Sequence, residues 1–536
     1  MAITLQSLKL PLTEEESSLR PRAARALGIR ESEILGLRLC RMSLDARKKS
    51  DIFFSCAVIL DLPPGLEEKL LGKALAGVEK AAEGEPIVWP GGESALDAPI
   101  AVVGLGPAGL FAAHALARQG YRPIVVERGK PIGERTDLVA CFFGGGPLDP
   151  NCNVMFGEGG AGAFSDGKLT TRIKDPWAYE VLRLLVEHGA PADIRIQAKP
   201  HIGTDKLVKV VQAMREDIVA HGGEVRFDTA LVSLEQREGA LTALRLQGPH
   251  GEERLAVSAC ILAMGQGARD TYEMLYSAGL ELQAKPFAVG VRAEHPRDLI
   301  DRSQYGAFAG HPRLGSAEYH LAGKDGERGV YTFCMCPGGV VIASSSDAGQ
   351  VVTNGMSYHA RNGANSNAAI VAQVDGRDFG SGHPLAGMRF QASLERAAYA
   401  LGGGDFVAPA QRMCDFLAGS SPSGFGAVSP SYRPGVENQA IAACLPEAVT
   451  AALRAGIRQF AGRLKGFDMG DAVLTAVESR TSAPVRILRD VGGQATRLKG
   501  LYPAGEGAGY AGGIVSAAVD GLRAAERIMA LYRPPN

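Results

Sequence analysis

The strongest constraint on this chain is residues 99–130, PIAVVGLGPAGLFAAHALARQGYRPIVVERGK, which have the pattern strand, glycine-rich turn, helix, strand. The first strand is continuously apolar, as expected for a parallel strand buried on both faces. Gly104, Gly106 and Gly109 give the spacing G-x-G-x-x-G. In such a unit the first glycine makes a tight turn, the second lets the backbone approach a pyrophosphate, and the third lets helix and strand pack closely. The segment predicts a dinucleotide-binding β-α-β unit.

Residues around this turn are candidate cofactor contacts. Pro107 and Ala108 begin the helix, whose unpaired N–H groups and dipole favour phosphate. Glu127 ends the second strand, 18 residues after the third glycine, where an acid can accept hydrogen bonds from a ribose diol. Arg128 and Arg135 follow it. For Arg135 two interpretations stay open, a contact to a cofactor phosphate or the adenosine, and a surface salt bridge.

The segment 501–528, LYPAGEGAGYAGGIVSAAVDGLRAAERI, decides which dinucleotide is expected. Its turn Gly505-Glu506 resembles the Gly-Asp turn that, in FAD proteins of the glutathione-reductase and hydroxylase type, binds the ribityl chain. The residues that would then present backbone N–H groups to the flavin ring are Gly512, Gly513 and Ile514. Residues 260–270, which contain Gly265, resemble the Ala-Thr-Gly turn of the same families. A simple NAD dehydrogenase needs neither turn, so the sequence predicts FAD.

A second formal G-x-G-x-x-G match occurs at residues 157–162. It lacks a preceding strand and a following amphipathic helix, so it is a poor independent NAD fingerprint and is better interpreted as a loop passing close to the cofactor. The further predicted cofactor contacts are Gly160, Ala161, Ser165 and Leu231.

Three side chains are candidates for catalysis, each with a structural alternative. Lys168 could stabilise negative charge on the reduced flavin near N1 and the C2 oxygen, or be a solvated loop lysine. His295 could be a general acid or base, or a hydrogen-bonded structural histidine. Arg480, with Arg486, could bind a carboxylate or phosphate substrate, or anchor a loop to acidic partners.

The nine cysteines are scattered, and no spacing typical of a zinc site is present, so no metal is predicted. Cys334 and Cys336 form the one close pair, C-x-C. Side chains two apart on a strand point the same way, and a disulfide there is strained. The pair is interpreted as two small buried apolar side chains, with a redox pair beside the flavin as the alternative.

Several strings together resemble a known group of proteins. They include SLDARKKSDIFF (43–54), GEGGAGAFSDGKLTTR (157–172), FCMCPGGVV (333–341), ESRTSAPVRI (478–487) and PAGEGAGYAGGI (503–514). On these strings the chain resembles the bacterial "uncharacterised FAD-dependent dehydrogenases", a family with an extension before the FAD domain. The resemblance covers nearly the whole chain and implies FAD and an oxidoreductase role, without a substrate.

The predicted fold class is α/β. We expect a Rossmann-type FAD-binding domain (glutathione-reductase-like), an inserted mixed or antiparallel domain, and an N-terminal ferredoxin-like α+β domain in the order β-α-β-β-α-β. In the N-terminal unit we expect a helix over 64–81 and a closing strand Pro86–Trp89. The predicted domains are 1–95 (N-terminal), 96–285 (FAD-binding, first part), 286–495 (inserted substrate domain) and 496–536 (FAD-binding, second part).

The balance of 57 Lys and Arg against 58 Asp and Glu leaves a net charge of −1, which offers no field for nucleic acid or an anionic membrane. Neither a signal peptide nor a membrane span is predicted, and cysteine use fits a reducing cytoplasm. The expected partner is a small-molecule substrate, with NAD(P)H as a candidate transient reductant and a protein partner for the N-terminal domain left open. The alternatives to an oxidoreductase are a non-catalytic flavin-stabilised scaffold or sensor, and a flavin-dependent RNA-modifying protein.

Overall fold

The structure, a computed structural model, describes residues 2–81, 87–171 and 173–535. The N-terminal unit contains β1 (Ala2–Pro11), α1 (Leu19–Leu27), β2 (Gly36–Asp45), β3 (Phe53–Asp61), α2 (Leu66–Gly72) and β4 (Val78–Lys80). These strands form a sheet in the order β2-β3-β1-β4, with every neighbouring pair antiparallel. The β-α-β-β-α-β sequence of elements is thus the predicted one.

Two predicted boundaries in this unit are wrong. The helix expected over 64–81 ends at Gly72, because Ala74 and Gly77 take positive φ angles of 48° and 77° that turn the chain into β4. The strand expected at Pro86–Trp89 begins outside the described residues, and its described part, 87–89, is not a strand. The closing strand is therefore β4.

A parallel sheet follows, built from two separate parts of the chain. The first part contains β5 (Ile100–Val103), α3 (Pro107–Arg118), β6 (Ile124–Val126), α4 (Ile132–Phe143), α5 (Trp177–Glu187), α6 (Thr204–Ala220), β7 (Glu224–Arg226), β8 (Ala230–Arg237), β9 (Ala240–Gly248), β10 (Gly251–Ala256), β11 (Ala259–Leu262), α7 (Arg269–Ser277) and β12 (Leu282–Ala284). Strands β8, β9 and β10 form a separate antiparallel sheet.

The chain then builds a larger sheet before it returns. The elements of this part are β13 (Phe287–Pro296), α8 (Arg297–Tyr305), β14 (Ala322–Asp325), β15 (Arg328–Cys336), β16 (Val340–Ala343), β17 (Thr353–Met356), β18 (Asn365–Val374), α9 (Gly376–Phe379), α10 (Ala386–Leu401), β19 (Ala408–Arg412), α11 (Met413–Ala418), β20 (Val436–Asn438), α12 (Glu447–Ala461), β21 (Val473–Glu478) and β22 (Val485–Ile487). The sheet order is β14-β15-β18-β13-β21-β19-β20, antiparallel except for the pair β19 and β20.

The returning elements are β23 (Leu501–Pro503) and α13 (Ile514–Met529). Strand β23 pairs in parallel with β11, which gives the parallel order β23-β11-β5-β6-β7. Helices α3, α5, α6 and α13 share one apolar core with this sheet. The N-terminal unit packs against the larger sheet, since Leu10, Phe54, Val291 and Phe460 belong to one buried cluster. In the parts of the chain that the structure describes, none of the helices has the length and apolar character needed to cross a bilayer.

Candidate functional site

A cavity lies at the carboxyl ends of β5, β6, β11 and β23, where the parallel sheet faces the larger sheet. This edge is the place where open parallel sheets bind their ligands. The predicted contacts that line it are Gly104, Gly106, Pro107, Ala108, Glu127, Arg128, Gly160, Ala161, Ser165, Lys168, Leu231, Gly265, Arg480, Gly505, Glu506, Gly513 and Ile514. Residues separated by 400 positions in the sequence therefore meet at one site.

The turn after β5 requires its glycines for different reasons. Gly104 has a φ of 93°, and a Cβ there would lie 2.4 Å from the Ala263 carbonyl oxygen. A Cβ on Gly109 would lie 1.8 Å from the Gly104 oxygen, so this glycine lets α3 approach β5 although it does not line the cavity. A Cβ on Gly106 would meet only Gly160 Cα, at 3.7 Å. Gly106 thus leaves open space into which a pyrophosphate can approach the backbone.

Glu127 lies in the cavity wall at the end of β6 and is buried. Its Oε2 accepts from the Leu105 N–H at 2.8 Å, and Oε1 accepts from the N–H groups of Gly129 and Gly157, both at 3.0 Å. These three hydrogen bonds fix the position of the carboxylate in the cavity wall. Since each carboxylate oxygen can accept about two hydrogen bonds, Oε2 retains one acceptor site for a ribose hydroxyl.

Arg135 neither lines the cavity nor lies at the surface, so both interpretations of it, the cofactor contact and the surface salt bridge, are wrong. Its guanidinium is fully buried. It donates only to backbone carbonyls of the following loop, namely those of Asn153, Val154, Gly157, Glu158 and Gly160. With its donors occupied in this way, Arg135 shapes the loop that carries Gly160 and Ala161 to the cavity.

Arg128, the residue after Glu127, also lies in the cavity wall. Its Nη2 is 2.9 Å from Asp270 Oδ2, and its guanidinium lies 4.5 Å from the centre of the Phe156 ring. The residue therefore combines an ion pair with a cation–π contact. Leu231 and Gly265 complete this side of the wall.

The late turn, Gly505-Glu506, lines the cavity beside the start of α3. Gly505 has a φ of 77°, and a Cβ there would lie 2.7 Å from Ala108 Cβ, so the turn packs against the start of α3. Glu506 Oε1 accepts from Gln266 Nε2 at 3.0 Å, and burial raises the pKa of Glu506 to about 7. Gly513 and Ile514 line the cavity at the start of α13. Gly512 does not line the cavity, contrary to its predicted role, and its N–H donates to Ser516 Oγ at 3.1 Å.

The three catalytic candidates differ in their position relative to the cavity. Lys168 lines the cavity, and its Nζ donates to the Met335 carbonyl and lies 3.9 Å from Asp166 Oδ2. His295 was expected near the flavin, but it is fully buried outside the cavity wall, with Nε2 2.6 Å from the Phe467 carbonyl oxygen. Burial lowers the pKa of His295 to about 4. The structural alternative for His295 is the one that the structure supports.

Arg480 lines the cavity but is already neutralised. Its guanidinium pairs with Glu395 at 3.0 Å and with Asp347 at 2.9 Å, and Nη1 donates to Ser346 Oγ. Arg269 binds the same two carboxylates. Capture of a substrate anion by Arg480 would have to displace these partners, so its anchoring role is the better supported one. Arg486 does not line the cavity and stacks on the Tyr510 ring at 5.0 Å.

The cavity wall also includes residues that were not predicted as site residues, namely Gln266, Phe333, Thr353, Asn354 and Glu478. It includes Cys334 as well, which agrees with the alternative interpretation of the C-x-C pair as lying beside the flavin. Behind this wall, the fully buried Arg292 has Nε 3.3 Å from Glu478 Oε2 and donates from Nη2 to Asn354 Oδ1 at 2.8 Å. The signal was present in part, because Phe333, Cys334 and Glu478 belong to the strings that carry the family resemblance.

Comparison with known proteins supports the cofactor. Residues 286–481 match the family model "FAD-dependent protein, C-terminal domain-like", and residues 2–61 match a domain of unknown function (DUF8436). An uncharacterised protein from Clostridium beijerinckii is 45% identical over 539 residues, which cover 100% of both chains. Aklavinone 12-hydroxylase RdmE from Streptomyces purpurascens is 30% identical over 181 residues, 31% of this chain and 32% of the relative.

Solved structures include more distant similarities. The anhydrotetracycline hydroxylase OxyS from Streptomyces rimosus is 14% identical, with a TM-score of 0.30 over 76% of this chain and 56% of that chain. An aklavinone-11 hydroxylase solved with FAD and aklavinone is 16% identical, with a TM-score of 0.34 over 82% and 63%. The matches span less than two thirds of each of these hydroxylases.

Proposed function

We propose that this chain, which belongs to the bacterial family of FAD-dependent proteins, is an FAD-dependent oxidoreductase acting on a small molecule. The observation that carries this proposal is the single cavity that joins the glycine turns of the parallel sheet to a wall of the larger sheet. When bound, FAD supplies a flavin N5 that accepts or donates a hydride. The binding domain is proposed to be of the Rossmann, glutathione-reductase-like type, on the basis of its parallel order β23-β11-β5-β6-β7.

The residues present fit FAD along the length of the cavity. Glu127 would hold the adenosine ribose, and the turn at Gly106 with the start of α3 would hold the pyrophosphate. Glu506 would accept from the ribityl chain. Gly265 and Gly513 both face open space, since a Cβ on either would have no neighbour within 4 Å. These open glycines leave room for a planar group to lie against the backbone.

The substrate is proposed to bind between the flavin and the wall formed by β15, β17 and β21. That wall presents Phe333, Asn354 and Glu478 to the cavity. Burial raises the pKa of Glu478 to about 7, against the charge of Arg292 that lowers it. A carboxyl group titrating near neutrality can hold or release a proton during turnover. Glu478 is therefore our candidate for proton transfer, in place of His295.

Hydroxylation of a small molecule with O₂ is a second candidate. It is favoured by the 30% identity to aklavinone 12-hydroxylase over 181 residues. Hydroxylation needs an external reductant, for which NAD(P)H is the proposed transient donor, whereas in dehydrogenation the substrate itself reduces the flavin. The cytoplasmic location stays a prediction, as do the absence of a nucleic-acid partner and the domain boundaries. The ferredoxin-like assignment of residues 1–95 is likewise a proposal, supported by the order β2-β3-β1-β4.

Anaerobic reduction tests the proposed function. The holoprotein is mixed with NADH, with NADPH and with a panel of metabolites, and bleaching of the flavin band is followed. We expect denatured protein to release FAD, not FMN, and at least one donor to bleach the flavin. Release of FMN, or protein that takes up no FAD, would contradict the cofactor geometry.

The same preparation separates the candidates. A donor whose oxidised product appears in equal amount with reduced flavin supports dehydrogenation. Substrate-dependent O₂ uptake after reduction by NAD(P)H supports hydroxylation. Protein that keeps FAD but is reduced by none of these donors favours the scaffold or sensor, and tRNA binding with a steep salt dependence would favour the RNA-modifying alternative.

A further inference from the structure

The end of β15 carries two thiols at a β-bulge. Strand β15 pairs with β18 at Phe333↔Ala369 and next at Cys336↔Asn367, so β15 has one extra residue. Cys334 has a φ of 43°, a left-handed conformation that non-glycine residues rarely adopt. In a regular strand, Cα atoms two residues apart are separated by about 6.7 Å, which is near the upper limit for a disulfide. A bulge bends the strand, and the Cys336 S–H donates to the Cys334 carbonyl oxygen, with Sγ 3.4 Å from that oxygen.

Two cations hold the backbone of this bulge. Arg292 Nη1 donates to the Cys334 carbonyl oxygen at 2.8 Å, and Lys168 Nζ donates to the carbonyl of Met335. The Cys336 sulfur lies close to the same guanidinium, since a Cβ on Gly355 would be 2.8 Å from both Cys336 Sγ and Arg292 Nη2. Arg292 and Lys168 therefore favour a thiolate at Cys334, although each also pairs with a carboxylate, that of Glu478 and that of Asp166 respectively.

The two thiols differ in their access to the cavity. Cys334 lines it, in the same wall as Phe333 and Asn354, while Cys336 is fully buried behind it. The cavity also receives Glu506 and Ile514, the residues proposed to lie at the flavin end of the FAD site. Cys334 is therefore placed to contact the flavin, and Cys336 is placed behind it to form a disulfide with Cys334.

We propose that Cys334 and Cys336 form a dithiol–disulfide couple that exchanges two electrons with the FAD, with Cys334 as the thiol in contact with the flavin. The inference rests on the proposed FAD site. In the oxidative direction the Cys334 thiolate and the Cys336 thiol form one S–S bond, and the Cys336 S–H bond breaks. The two electrons and that proton pass to FAD, which becomes FADH⁻. The reverse reaction lets the reduced flavin open the disulfide, so the fully reduced holoprotein stores four electrons.

The titration behaviour of the pair is consistent with these roles. The neighbouring Cys336 thiol lowers the pKa of Cys334 below its ordinary value, with help from the charges of Arg292 and Lys168. Cys334 in turn raises the pKa of Cys336, and burial adds to the effect. One thiolate and one thiol is the protonation state that the electron balance requires.

A reductive titration tests the couple. FAD-loaded protein, oxidised with ferricyanide and freed of oxidant, is titrated anaerobically with dithionite. We expect the wild type to take up four electrons per FAD, and C334S and C336S to take up two. The control C141S, which removes an exposed cysteine on α4, should take up four. The FAD content of each variant is measured first, so that a failure of cofactor binding is distinguished from a failure of the couple.

The wild type alone provides an independent measurement. Its oxidised and dithionite-reduced forms are alkylated under denaturing conditions and digested. The mass of the peptide that carries both cysteines is then measured by mass spectrometry. We expect two alkyl groups after reduction and none after oxidation. Uptake of two electrons by FAD-loaded wild type, or two alkyl groups on the oxidised peptide, would overturn the proposal even if C334S and C336S do not fold.

Discussion

A side chain introduced at Gly106 should weaken cofactor binding without affecting folding. Its φ of −74° suits any residue, and a Cβ there meets nothing closer than 3.7 Å. We predict that Gly106→Val folds as stably as the wild type but binds FAD at least about a hundredfold more weakly, equivalent to about 2.7 kcal/mol. Titration of apoprotein with FAD, followed by flavin fluorescence, measures the change.

The control for this prediction is Gly91→Val. Gly91 has no neighbour within 4 Å of its Cβ position, and it lies outside the cavity wall. It should bind FAD like the wild type. Normal FAD affinity in Gly106→Val would mean that the pyrophosphate does not approach this turn.

Glu506 tests the other end of the cofactor. A charge-assisted hydrogen bond contributes roughly 1.5–3 kcal/mol, so we predict that Glu506→Ala weakens FAD by at least about tenfold. The shorter Glu506→Asp should lose part of that affinity, because its carboxylate lies one methylene further back. Circular dichroism of both variants checks that the fold survives. Unchanged affinity in Glu506→Ala would show that this turn does not hold the ribityl chain.

At the scale of elements, the loop between α4 and α5 depends on one side chain. The guanidinium of Arg135 binds five backbone carbonyls of residues 153–160. A buried acceptor left unpaired costs about 1–3 kcal/mol, so we predict that Arg135→Met lowers the free energy of unfolding by about 3 kcal/mol or more. Urea denaturation measures this loss.

Arg135→Lys should rescue little of that stability, because an ammonium group cannot reproduce the planar fork of donors. The expected companion effect is faster proteolysis of the loop in both variants. If Arg135→Lys is as stable as the wild type, charge rather than donor geometry holds the loop.

At the scale of the whole molecule, a buried ion cluster connects the two large sheets. Glu395 on α10 binds Arg269 on α7 and Arg480 after β21. Burial opposes ionisation of Glu395, but Arg480 and Arg269 hold its pKa down to about 2, below the ordinary 4.5. The stability contributed by this group is therefore full above pH 4.5 and is lost as the pH falls towards 2.

We therefore predict that the free energy of unfolding of the wild type, relative to that of Glu395→Gln, falls by about 2 kcal/mol between pH 5 and pH 3. Each pH unit below the unfolded pKa removes about 1.36 kcal/mol. Urea denaturation at each pH provides the free energies. Glu252→Gln, at an exposed position on β10, is the control and should track the wild type. A pH-independent difference between wild type and Glu395→Gln would contradict the ionised cluster.

The sequence by itself determined the parts of the site whose geometry is local. The G-x-G-x-x-G turn, Glu127 at a strand end and the Gly505-Glu506 turn are each recognised from a short stretch of sequence, because each depends on residue types at fixed positions around a turn. The structure places all of them, except the packing residue Gly109, in the lining of one cavity. The order of elements in the N-terminal unit was predictable for the same reason, since strand and helix periods are local.

Only the tertiary structure decided which partners the charged and sulfur-containing side chains meet. His295 lies behind the wall because β13 is covered by Phe467, and Arg480 is neutralised by Glu395, 85 positions away in the sequence. Cys334 reaches the cavity through the bulge between β15 and β18, a register that no pattern within β15 reveals. Pairing between strands is fixed by long-range packing, and a one-residue change in register moves a side chain to the opposite face of the sheet.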